Sequence, residues 1–282
     1  MWPNFLIIGA HKAGTSSLAQ YLRGHPDVYI PELKEARFFA FDQNNPDHLK
    51  KGRRIFPVQT EEEYLRLFSG AKGEKPVGEA TPEYLNSRFA AERIRKRIPD
   101  VKLIASLRHP VDRSYSSFLM NAREQGVGLA DFRAWHPDRE ELERGFYFPK
   151  FQAYLEYFDR RQIKVVLFDH LKTNSRGVAQ ELYAFLGVDS TYEPDLAVYN
   201  KGGLPRNQLL HRLLSNRVLR QTFKRYMPGG ARGAVRRLKD VNLARPPELA
   251  PEKRRELSGL FKEDILRTQD LLRVDLSRWL DP

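Results

Sequence analysis

The 282-residue chain contains no cysteine. Disulfides, thiolate metal ligands and thiol nucleophiles are therefore excluded. No apolar run approaches the ~18–20 residues of a membrane-spanning helix. The start, Met1-Trp2-Pro3-Asn4 followed by the short run Phe5–Ile8, lacks the basic leader and longer apolar core of a secretory signal. These absences lead us to expect a cytoplasmic protein. There is no internal repeat, which excludes a solenoid. Aromatic residues are not scarce: 3 Trp, 12 Tyr and 17 Phe set the chain apart from disordered sequences.

Charge is unevenly placed. The chain carries 48 Lys+Arg against 36 Asp+Glu, a formal net charge of +12. Fifteen Lys/Arg and three Asp/Glu fall between Lys201 and Arg255, so this stretch holds the whole excess. An anionic partner is expected there, set against a plain solvated basic face. No nucleic-acid-binding motif accompanies it. The one linker-like spot is Pro228-Gly229-Gly230, inside that stretch. The chain therefore reads as one domain over 1–282, with a basic helical segment of about 205–255 appended to it.

Short apolar runs alternate with helical periodicity. Phe5–Ile8, Val101–Leu107 and Ile163–Phe168 read as buried parallel strands. Ser16–Arg23, Glu61–Phe68, Arg88–Ile98, Pro110–Arg123, a segment ending at Leu186-Gly187, Pro205–Tyr226 and Pro251–Leu272 read as helices. Strands joined through helices imply an α/β fold of the P-loop-like kind, with a mostly parallel sheet between helical layers.

The first strand runs into Gly9-Ala10-His11-Lys12-Ala13-Gly14-Thr15-Ser16-Ser17, which opens the first helix. Glycines, hydroxyls, a lysine and a helix N-terminus together suit an anion. The Walker A spacing fails at its key position, because Thr15 stands where the lysine belongs. A nucleoside or small-molecule kinase, with Asp169 as its Mg²⁺ ligand, is thus a weaker alternative. A non-catalytic binder of anionic partners is another.

Lys12-Ala13-Gly14-Thr15-Ser16-Ser17 resembles the 5′-phosphosulfate loop of the PAPS-dependent sulfotransferases. Ser106-Leu107-Arg108-His109-Pro110 through Ser116 resembles their 3′-phosphate motif, with Arg108 and Ser116 as the phosphate ligands. Asn200-Lys201-Gly202-Gly203-Leu204-Pro205-Arg206 resembles their late Lys-Gly loop, which implies that Lys201, Gly202, Gly203 and Arg206 close over the nucleotide. Glu35-Ala36-Arg37-Phe38-Phe39 resembles the Glu-x-x-Phe-Phe segment of the heparan-sulfate-type branch, where the glutamate deprotonates the acceptor. Arg37 departs from that branch, which often has histidine there. The resemblance implies Glu35 as general base and Lys12 at the bridging oxygen of the donor. It places Lys34, Arg37, Glu79 and Thr81 on the acceptor side. It further implies PAPS as co-substrate, PAP as product, no metal, and a carbohydrate-like or small-metabolite acceptor. His11, His25 and His109 are read as structural, and Glu79 as either an acceptor contact or an ion-pair partner of Arg108 or Lys12.

Overall fold

A computed structural model of the chain describes residues 1–45, 48, 56–125, 135–196, 204–205, 207, 241–244 and 246–281. Four parallel strands form the central sheet in the order β2-β1-β3-β4: β1 is Phe5–Gly9, β2 Gly78–Ala80, β3 Lys102–Leu107 and β4 Ile163–Leu167. The α/β layering expected from the sequence is therefore present.

The strands alternate sides with a period of two, and both sides are buried. Leu6 and Ile8 of β1, with Leu103, Ala105 and Leu107 of β3, join one apolar cluster. Phe5 and Ile7, with Ile104, join the other. The first cluster is closed by α3 (Ala90–Arg97), α6 (Phe148–Leu155) and α9 (Pro251–Leu272) through Ile94, Phe151, Phe261 and Ile265. The second is closed by α1 (Thr15–Gly24) and α8 (Ser175–Leu186) through Leu18, Leu22, Leu182 and Tyr183. Full burial of each such side chain stabilises the fold by roughly 1.5–3 kcal/mol.

The chain leaves β1 to one side to build β2, then crosses back to build β3 on the other side. The carboxyl ends of β1 and β3 therefore flank a topological switch point, where open α/β sheets place their ligands. Other elements are α2 (Glu61–Arg66), α4 (Pro110–Gln125), α5 (Arg139–Glu143) and α7 (Phe168–Thr173).

Two local expectations are corrected. The segment after β4 is two helices, because Asn174 adopts φ −138°, ψ 59° and accepts the Gly177 N–H at 3.0 Å as the cap of α8. Pro205 does not open a helix. Leu204–Pro205 forms β5, paired antiparallel with β6, Leu243–Ala244. Most of the expected helix through Tyr226 lies outside the described residues. Among the described residues, no helix is long and apolar enough to cross a membrane.

Candidate active site

The loop after β1 is tied to the end of β3. The Ala10 N–H donates to the Ser106 carbonyl at 2.7 Å, and Ser106 Oγ donates to the Ala13 carbonyl at 2.5 Å. Arg108 donates to the Lys12 carbonyl at 3.2 Å. Lys12 and Gly14 both take positive φ, 63° and 85°, a turn that brings successive N–H groups together. Gly14 is also required by space, since a Cβ there would stand 2.6 Å from Leu171 Cδ2. The N–H groups of Gly14, Thr15 and Ser16 meet no protein acceptor among the described residues. They are the first donors of α1, at its positive end.

Cations gather around those donors. Burial, and then the charges of Arg123, Arg108 and Lys34, hold the Lys12 ammonium below its ordinary pKa. Burial likewise lowers Arg108, whose guanidinium lies 4.7 Å from the Phe168 ring centroid. Lys34 Nζ donates to Ser16 Oγ. Such mutual repulsion is relieved by an anion of several charges, so the donor set fits a phosphosulfate. Ser116 lies half-buried on α4. Lys201, Gly202, Gly203 and Arg206 lie outside the described residues.

Beside this cradle runs the segment 33–37. Glu35 and Arg37 both take positive φ, 62° and 57°. The Glu35 N–H donates to the Ala80 carbonyl at 3.1 Å, and the Arg37 N–H to Thr81 Oγ1 at 3.2 Å. The half-buried Glu35 carboxylate accepts from Arg37 at 2.8 Å and stands 3.5 Å from Lys34 Nζ. Burial opposes its ionisation, but the Arg37 hydrogen bond and the Lys34 charge prevail and lower its pKa.

Glu79 is fully buried in β2 and touches neither Arg108 nor Lys12. Its Oε1 accepts from Tyr84 at 2.6 Å and Tyr64 at 3.2 Å, and its Oε2 from Thr81 at 2.7 Å. Burial raises its pKa to about 7, against the pull of these hydroxyls. Through Thr81 it reaches the backbone of Arg37.

Several charged contacts of this region escape sequence reading. His11 Nε2 stands 2.9 Å from Glu83 Oε2, and Arg144 lies 3.7 Å from the same carboxylate. Arg113 is buried, donates to the Glu141 carbonyl and stands 3.1 Å from the Glu141 carboxylate. Arg254 pairs with Asp112 at 2.5 Å, fastening α9 to α4. The one local signal for these was the Glu83 carboxylate beside the strand-end segment. The rest are contacts between distant parts of the chain.

The sequence profile described as the sulfotransferase family matches residues 3–194. A membrane-associated sulfotransferase of Dictyostelium discoideum is 32% identical over 41% of this chain and 22% of its own length. A human heparan sulfate glucosamine 3-O-sulfotransferase, 3B1, is 27% identical over 84% of this chain and 60% of its own. The chain thus spans less than two thirds of these relatives. The crystal structure of a sulfotransferase from Alicyclobacillus acidocaldarius superposes with a TM-score of 0.72 at 29% identity, covering 99% of both chains. A mouse sulfotransferase complexed with PAP shares the fold, with a TM-score of 0.52 at 16% identity over 96% of this chain and 86% of that one.

Proposed function

Because the chain belongs to the sulfotransferase family, we propose that it transfers a sulfuryl group from PAPS to a hydroxyl or amine of a carbohydrate-like acceptor. The family's donor is PAPS and its product PAP. The observation that carries the reading is the pairing of an anion cradle with a half-buried carboxylate beside it. Lys12, Arg108, Lys34 and the N–H groups of Gly14 to Ser16, which meet no acceptor among the described residues, form the cradle. Glu35 is the carboxylate, and Lys34 touches both.

PAPS supplies an activated sulfuryl group on a phosphate leaving group. Lys12 and the N–H groups of the loop stabilise the negative charge left on the nucleotide, fixed in place before the reaction. Arg108 and Ser116 hold the 3′-phosphate, where arginine suits bidentate contact. Lys201, Gly202, Gly203 and Arg206 complete the nucleotide site. Glu35 removes the acceptor proton, a contribution of typically 10²–10⁴-fold. Arg37 and Lys34 orient Glu35 and face the acceptor. Glu79 and Thr81 act from beneath by holding the 33–37 segment. The relatedness to heparan sulfate enzymes supports a sugar acceptor.

Titration calorimetry with PAP and with ATP–Mg²⁺ tests the cradle, and PAP alone should bind. A transfer screen with [³⁵S]PAPS over unsulfated oligosaccharides and small alcohols tests the reaction. Glu35→Gln should bind PAP normally and lose transfer. An unchanged rate and pH profile in that variant would remove Glu35 as base.

A further inference from the structure

His11 sits directly before Lys12 in the loop and acts electrostatically on Glu35 of the 33–37 segment. Its ring is about one-fifth exposed, as is its partner Glu83 (21% and 23%). Glu83 carries Arg144 at 3.7 Å besides His11. Burial opposes ionisation of Glu83, but the His11 hydrogen bond and the charges of Arg144 and Arg37 keep it ionised. An ionised carboxylate only accepts hydrogen bonds. Nε2 of His11 therefore donates to Glu83 at 2.9 Å, and Nδ1 has no protein hydrogen-bond partner among the described residues. A histidine so fixed by a carboxylate is the arrangement that makes imidazole a base.

Glu35 is differently placed. Arg37 and Lys34 clamp its oxygens, which weakens it as a proton acceptor. The charged groups around this pair are Lys12, the next residue of the loop; Glu35, which His11 influences electrostatically and which carries Lys34 and Arg37; Glu83 in the turn after β2; and Arg144, just past the end of α5, with Glu140 of that helix's first turn.

We propose that His11, oriented by Glu83, is a second base of the cleft and takes at Nδ1 the proton that Glu35 has removed from the acceptor. This rests on the reading that loop 12–17 holds the sulfuryl donor. As the acceptor oxygen bonds to sulfur, the bond from sulfur to the 5′-phosphate oxygen breaks and its electron pair leaves on PAP. The acceptor proton passes by way of Glu35 to Nδ1, and the resulting imidazolium is neutralised by Glu83.

The test uses the full chain and its His11→Asn and Glu83→Gln variants, each alone and with Glu35→Gln. Two acceptors are given with [³⁵S]PAPS: an unsulfated glucosamine–glucuronate oligosaccharide, and 4-nitrophenolate, which has no proton to remove. Release of [³⁵S]sulfate to water is followed in the same reactions. His11→Asn should lower kcat on the oligosaccharide or water by ~10²-fold. PAP affinity and transfer to 4-nitrophenolate should be retained. Glu83→Gln should lose ~10-fold or more on the proton-bearing acceptors, because the ring is then free to change tautomer. Equal loss on both acceptors, or an unchanged rate and pH profile in both variants, overturns the proposal. A parent enzyme that consumes no PAPS overturns the underlying reading, and this inference with it.

Discussion

Glu79→Gln should flatten the pH dependence of stability. The carboxylate is completely buried, and three hydroxyls donate to it. Burial lifts its pKa from 4.5 to about 7 in the folded protein. In the unfolded chain it titrates near the ordinary value. The folded state therefore binds the proton more tightly. The stabilisation that results is complete below about pH 4.5 and is lost as pH rises through about 7. Each pH unit between these values is worth about 1.4 kcal/mol, so the whole window is worth about 3 kcal/mol. Between pH 5 and pH 8 the parent should lose about 2–3 kcal/mol that the variant keeps.

Glutamine keeps the shape of the site. Its carbonyl accepts from Tyr64 and Tyr84, and its amide donates to Thr81 Oγ1, which already receives the Arg37 N–H. Other groups titrate in the same range, among them Lys150, which burial and the charges of Arg113 and Arg144 lower to about 7. They are common to both proteins and cancel in the difference. Urea unfolding of parent and variant at pH 5, 6, 7 and 8 gives that difference directly. Parallel stability curves would refute the reasoning, since they would mean that Glu79 titrates alike in both states.

Lys12→Ala and Arg108→Ala should each weaken PAP binding by roughly 10–100-fold in calorimetry, the range of a lost charge-assisted hydrogen bond. Gly14→Ala should lower stability by about 2 kcal/mol or more, from the left-handed φ and the clash with Leu171, read as a fall in melting temperature. Asp264 accepts the Tyr147 and Phe148 N–H groups at 2.8 and 3.0 Å at the head of α6. Asp264→Ala should therefore cost about 2–4 kcal/mol, and Asp264→Asn less. A double-mutant cycle on the partly exposed Asp112–Arg254 pair should give a coupling of only about 0.5–1 kcal/mol, falling with salt.

What could be read from the sequence was what neighbouring residues decide. Strands β1, β3 and β4 are apolar on both faces, so a run of consecutive apolar residues marks them, and Pro251 at the first turn of α9 marks its start. The loop proposed to hold phosphate was conspicuous because its glycines, hydroxyls and lysine are contiguous. Asn174 was not legible as a helix break, because an asparagine within a periodic pattern announces a cap only when its own backbone leaves the helix. Pro205 misled for a related reason. A proline suits both a helix start and an edge position of a two-stranded ribbon, and its pairing with Leu243 is decided far along the chain. The site divides in the same way. Glu35, the proposed base, was singled out by a local pattern. The partners that set its behaviour were not, since Thr81 reaches Arg37 across 44 residues and Glu83 reaches His11 across 72. Glu79 carried one overlooked local sign: a carboxylate inside a strand covered on both faces must find donors or a proton. Tyr64, Tyr84 and Thr81 supply the donors, and burial raises the pKa to about 7. The protonation behaviour of this cleft is therefore a property of the tertiary fold, and measurements of pH dependence test the fold and the chemistry together.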